Sequence, residues 1–126
     1  MPIDVCIDTG RNLITRTGRD LVTVDECIQS LEEVLTHPDY QPGMKSLSDM
    51  RDVSHQLTAG DVRRIAQVVA SNHEEPVNAR AAIVVSKTAA YGLSRMLQIH
   101  LEGEGLPMAV SVFYDVDEAR QWLVAT

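Results

Sequence analysis

The sequence predicts an α/β fold: a β-hairpin first, then alternating strand and helix units that build a mostly parallel five-stranded sheet with about four helices. Three observations carry that reading. The opening residues alternate apolar and polar with period two. Amphipathic stripes of helical spacing recur along the chain. Two short, nearly continuous apolar runs, Ala81 to Val85 and Met108 to Phe113, have the composition of strands covered on both faces of a parallel sheet. At 126 residues, the span 1–126 has the size of a single domain.

Residues Ile3 to Asp8 set Ile3, Val5 and Ile7 against Asp4, Cys6 and Asp8, the pattern of a half-buried strand. Gly10-Arg11-Asn12 supplies a turn, and Leu13 to Thr17 reads as a second strand ending at Gly18, which makes an antiparallel hairpin. Thr23 with Glu26 is a capping-box pattern, after which Val24, Cys27, Ile28, Leu31, Val34 and Leu35 recur at helical spacing. This helix stops near His37, because Pro38 disfavours helical geometry in the residue before it and Pro42-Gly43 prolongs the break. Met44 to Val53 is polar for a strand, yet it lies between two helices and carries Leu47, Met50 and Val53, so the third strand is expected there.

Thr58 with Asp61 starts the next helix, which buries Val62, Ile65, Ala66 and Val69 and ends around Asn72 to Pro76. Between the two apolar strands, Ala89, Leu93, Met96, Leu97 and Leu101 stripe a third helix closed by Gly103-Glu104-Gly105. Ala119, Trp122 and Leu123 mark a short fourth helix, capped by Asp115 or its neighbour. Trp122 is expected to pack with Phe113 or Leu123, and Ile83, Val84, Val110 and Val112 to form the buried centre of the sheet.

Composition narrows the function classes. At 44% hydrophobic and 23% charged, this is a globular sequence rather than a disordered one. A formal charge of −7 makes the surface repel phosphate backbones and anionic headgroups, so no nucleic acid and no membrane surface is expected as partner. Aromatic residues, at 4%, are too few for a base-stacking face. No apolar run nears the ~20 residues of a membrane span. Met1-Pro2-Ile3-Asp4 lacks the basic and apolar regions of a secretory signal, so a cytoplasmic location is expected. There, Cys6 in a strand and Cys27 on an apolar helix face read as two buried free thiols.

In an open α/β sheet, ligands gather beyond the carboxyl ends of the strands, where helix N-termini offer unpaired N–H groups. That rule selects Ser54, His55 and Thr58 after the third strand, Lys87 after the fourth and Tyr114 after the fifth as ligand- or partner-binding residues. Ser86-Lys87-Thr88 resembles the end of a phosphate-binding loop, but the residues before it contain no glycine and cannot form the cradle. His37, His55, His73 and His100 lack metal-ligand spacing, so no metal is expected, and His100 reads as a semi-buried histidine beside Leu93 and Leu97. Asp52, Ser54 and His55 include the residue types of a nucleophile and its base, but within one loop they read as capping and turning groups. No catalytic residue and no cofactor are expected.

Tyr91-Gly92-Leu93-Ser94-Arg95-Met96, the run from Val112 to Leu123, and Asp49-Met50-Arg51-Asp52-Val53 resemble the bacterial STAS-like proteins of the SpoIIAA-like group, a fold type shared with CRAL-TRIO lipid-binding domains. With the element order, the likeness covers nearly the whole chain. Its motifs pack cores, so they speak for fold more than for activity. The resemblance implies a phospho-switch at a serine that opens the helix after the third strand. Here Leu57-Thr58-Ala59-Gly60 occupies that place. If the glycines correspond, the phosphorylated position falls on Ala59, and Thr58, one residue away, is the remaining hydroxyl.

The expected function is a non-enzymatic binding or regulatory module that recognises a protein partner. The alternative is a carrier of a small apolar or lipid-like ligand held between the third helix and the sheet. A homodimer is expected, because the sheet leaves edges to be covered.

Overall fold

The period-two opening folds as a hairpin. β1 (Ile3–Asp8) and β2 (Leu13–Val22) pair antiparallel, and in the turn between them Asp8 Oδ1 accepts from Arg11 N at 3.1 Å while Asn12 takes a φ of 55°. There follow α1 (Val24–Thr36), β3 (Lys45–His55), α2 (Ala59–Ser71), β4 (Arg80–Val84), α3 (Thr88–Gly103), β5 (Ala109–Phe113) and α4 (Val116–Val124). The strands lie in the order β1-β2-β3-β4-β5, and every pair after the first is parallel. This computed structural model describes residues 3–55, 57–72, 79–105 and 108–125, with His55 as backbone. His73, Glu74, Glu75 and Pro76 lie outside that set, whereas the end of α2 at Ser71, capped by Asn72, lies within it. None of the described helices is long and apolar enough to cross a membrane.

Local chemistry accounts for the boundaries. Thr23 and Thr58 each accept from the backbone of the third helical residue, and Glu26 and Asp61 return the bond, so α1 and α2 both begin with a complete capping box. Asp115 caps α4 by accepting from Asp117 N and Glu118 N. α1 ends at Thr36, with His37 extended ahead of Pro38.

One boundary departs from the sequence reading. β2 continues through Gly18 to Val22 instead of ending at Thr17. Its register on β3 shifts between Thr17 and Arg19. At that bulge a Cβ on Gly18 would stand 2.6 Å from both Met50 Sδ and Val53 Cγ2. A glycine that reads as a strand stop is here what lets the two strands stay paired across a bulge.

The two faces of the sheet are covered unequally. α4 packs on one face, where Leu47, Ala82 and Val84 meet Ala119 and Leu123, with Phe113 and Trp122 at the margin. α1 and α3 cover the other face. α1 closes on Ile14 through Val34, and α3 closes on Val110 through Leu101. β4 and β5 therefore have apolar neighbours on both sides, which is why their sequences are continuous apolar runs. β1 is buried on the α1 side alone, so Ile3 is buried while Asp4, Cys6 and Asp8 are exposed. Cys6 is thus not a buried thiol, since the alternation that makes β1 a strand turns it toward solvent. Cys27 is partly buried. Val84, Val110 and Val112 are buried as expected, whereas Ile83 is only partly so.

Candidate functional site

The residues singled out from strand ends lie where the topology puts them. Ser54 and His55 close β3. Lys87 precedes the first turn of α3 and makes no side-chain cap there. Ser54 and Lys87 come together on a depression of about 130 Å³ with Val53, Ala89 and Ala90. Beside it, Ser86 Oγ donates to the carbonyl of Arg51 at 2.6 Å, which ties the end of β4 to β3. Tyr114 follows β5, is 52% exposed, and stacks on Tyr91 of α3 with ring centroids 4.9 Å apart.

Thr58 stands apart in its bonding. Its Oγ accepts from Asp61 N at 3.1 Å, and its own N–H donates to Asp61 Oδ2 at 3.0 Å. Among the described residues, no hydrogen bond joins Thr58 to Ser54, Lys87 or Tyr114. The structure therefore groups Ser54 with Lys87 and Tyr114 with Tyr91, and occupies Thr58 in the cap of α2.

A larger feature lies inside. Between the sheet and the layer of α1, α2 and α3 there is a partly open cavity of about 270 Å³. Its origin can be read residue by residue. α2 is held chiefly by its neighbours α1 and α3 rather than by the strands beneath it. Its apolar side chains Val62, Ile65 and Val69 face strands that present Ser46, Ser48 and Ala81 at the centre of the sheet. Side chains this small do not fill the space that branched residues would. α3 contributes Leu93 and Leu97, and α1 contributes Leu31 and Val34.

The size decides how the space should be regarded. A dry apolar cavity of about 150 Å³ already accepts a benzene-sized guest. A sealed void of 270 Å³ would cost on the order of 6 kcal/mol at about 24 cal/mol per Å³, comparable to the whole stability of a small domain.

Among the described residues, one charged side chain borders this apolar space. Arg16 projects from β2 on the same face as Ile14, and its Nη2 donates to Ser30 Oγ at 2.6 Å and lies 3.8 Å from Cys27 Sγ. Its Nη1 donates to Ser48 Oγ at 3.3 Å, and Ser30 Oγ in turn donates to the carbonyl of Cys27 at 2.7 Å. The Nε of Arg16 is sealed from solvent and has no hydrogen-bond partner among the described residues.

Sequence reasoning missed Arg16, Ser30 and Ser48. Two signals pointed to them: the polarity of β3, a central strand carrying Ser46 and Ser48, and an arginine in register with Ile14 on the buried face of β2. Among the described residues, no group of three or more His, Cys, Asp or Glu is placed to hold a metal ion.

The ion pairs among the described residues lie at the surface. Arg51 grips Asp49 with Nε at 2.9 Å and Nη2 at 2.7 Å, and this side-chain hydrogen bonding holds the Asp49 carboxyl below its usual range. Arg19 does the same for the exposed Asp4.

No family model and no curated protein matches the chain. Among solved structures, it is similar to an uncharacterised DUF3478-family protein with a SpoIIAA-like fold from Shewanella loihica PV-4. The two are 16% identical, the superposition covers 96% of this chain and 93% of that one, and the TM-score is 0.58. The fold is SpoIIAA-like, with the N-terminal hairpin and mostly parallel sheet that the element order predicts.

Proposed function

We propose that this chain is a non-enzymatic binding module that carries a small apolar ligand in the cavity between α1–α3 and the sheet. The observation that carries the reading is the 270 Å³ space lined by Val62, Ile65, Leu93, Leu97, Ile83 and Val110. Ligand sites are concave, mostly apolar and furnished with a few polar groups that fix orientation. Arg16, Ser46, Ser48 and Ser94 supply such groups here. Binding would return the packing contacts that the small residues of β3 and β4 leave unmade.

The test is direct titration with a neutral apolar probe, octanol, followed by calorimetry. The parent protein should bind it saturably. Ala81→Phe, which fills the space from the sheet side, should abolish binding while the protein stays folded by circular dichroism. Unchanged binding in Ala81→Phe would show that octanol sits elsewhere and would remove the reading.

A second reading, recognition of a protein partner at the carboxyl ends of the strands, is favoured by Tyr114. Its ring is half exposed and stacked on Tyr91, and rigid aromatic surfaces anchor interfaces. Ser54 and Lys87, which line a depression of their own, would add polar contacts at the same ends of the strands. A phosphate on Thr58 would add about −1.5 to −2 charge among the donors that open α2, regulating such a contact. Self-association would use the edges of the sheet, β1 and β5. Tyr114→Ala should weaken capture of a protein partner from lysate without altering octanol binding. Loss of both together would count against a separate interface.

A further inference from the structure

We infer that Arg16 is the head-group anchor of the cavity, so that the ligand is a free monocarboxylate bearing an apolar chain. This rests on the ligand-binding function proposed above and adds the chemical class of the ligand.

The chain has 18 acidic and 11 basic residues, yet among the described residues no carboxylate pairs with Arg16, whereas Arg11, Arg19, Arg51 and Arg64 each have one. Arg16 is partly buried, and its partners are a thiol and two serine hydroxyls, all neutral. A guanidinium withdrawn from water without a counter-charge is costly, and the cost falls when an anion joins it. Nε–H has no acceptor among the described residues, and the Cys27 thiol at 3.8 Å is a weak one that an oxyanion would outcompete. A carboxylate presents two oxygens to a guanidinium fork and matches it better than a neutral head. Among the described residues Arg16 is the sole charged side chain lining the cavity, so a singly charged head is balanced there and a doubly charged one is not.

The rest of the ligand is set by the walls. Beyond Arg16, the lining of α2 and α3 is aliphatic apart from Ser94, which calls for a hydrocarbon chain. At about 30 Å³ for each water-sized group, the 270 Å³ volume takes about nine methylene-sized groups, close to the length of octanoate.

The experiment compares octanoate with octanol, which share a chain and differ in head group, by calorimetry at neutral pH on the parent protein and on Arg16→Met. The parent should bind octanoate about tenfold to a hundredfold more tightly than octanol, as one charge-assisted contact provides. Arg16→Met should erase that preference while still binding octanol, and the methionine keeps most of the side-chain volume. Ser30→Ala, which leaves the guanidinium in place but unties it from α1, should lower octanoate affinity by a smaller factor. Equal binding of the two probes by the parent, or a preference that survives Arg16→Met, overturns the anchor and leaves the apolar cavity standing. Failure of the parent to bind either probe overturns the cavity reading and the anchor with it.

Discussion

Trp122 lies against Phe113, with ring centroids 5.7 Å apart and planes tilted by 52°. The pair closes the α4 side of the sheet, and Arg80 ties it to β4. The guanidinium of Arg80 stands 5.3 Å over the indole ring, and its Nη1 donates to the Trp122 carbonyl. Trp122→Ala should therefore lower stability by about 3 kcal/mol, the lower end for a large aromatic truncation because the ring is only partly buried. Denaturant melts measure it, and a loss under about 1 kcal/mol would show that α4 is pinned by Ala119 and Leu123 alone.

Thr58 and Asp61 share a reciprocal cap. Thr58→Ala leaves an orphan N–H at the start of α2 and should cost about 0.5–2 kcal/mol, whereas Thr58→Asp, itself a good cap, should cost far less. Equal losses in thermal melts would mean that the capping bond is not what Thr58 contributes.

Gly18→Ala should strain the sheet and shrink the cavity together. The new Cβ would press on Met50 Sδ, at the flexible end of its side chain, and on Val53 Cγ2, a stiff branched group, both of which line the cavity. Overpacking of this kind costs about 1–3 kcal/mol. The same variant should weaken octanol binding. Wild-type stability and affinity in Gly18→Ala would mean that β2 and β3 separate freely at the bulge.

Asp49 gives a pH signature. Hydrogen bonds from Arg51 hold its carboxyl below the ordinary value of 3.8 in the folded chain. A depressed folded value contributes stability above the unfolded value and loses it as pH falls through the folded one. Asp49→Asn should therefore be less stable than the parent near neutrality, by no more than about 1 kcal/mol because Arg51 is largely solvated. The difference should close as the medium is acidified below the ordinary carboxylate range. A gap that widens in acid would contradict the assignment.

Most of the fold was legible because local pattern and global position agree. Ile3, Val5 and Ile7 alternate since one face of β1 is covered, and the two apolar runs are continuous since β4 and β5 are covered on both. Thr23, Thr58 and Asp115 announced their helices through bonds made within a few residues. The end of β2 was not legible, because what Gly18 does depends on Met50 and Val53 across the sheet. Cys6 was misjudged on the general habit of thiols, although its own place in the alternation turned it outward. At the candidate site, the strand-end rule selected Ser54 and Lys87, which line one depression, but it did not foresee that Thr58 would be taken up in its own cap. The cavity was half visible as the unexplained polarity of β3. Its size depends on how α2 spans α1 and α3, which no local spacing encodes.

Xenon probes the space beneath α2 independently of any head group, because the gas enters dry apolar cavities. Crystals pressurised with xenon should show gas density between α2 and the centre of the sheet, bordered by Ile65, Ile83 and Leu97. Finding no xenon there, with Ile65 and Leu97 settled in van der Waals contact on Ser48 and Ala81, would contradict the cavity reading.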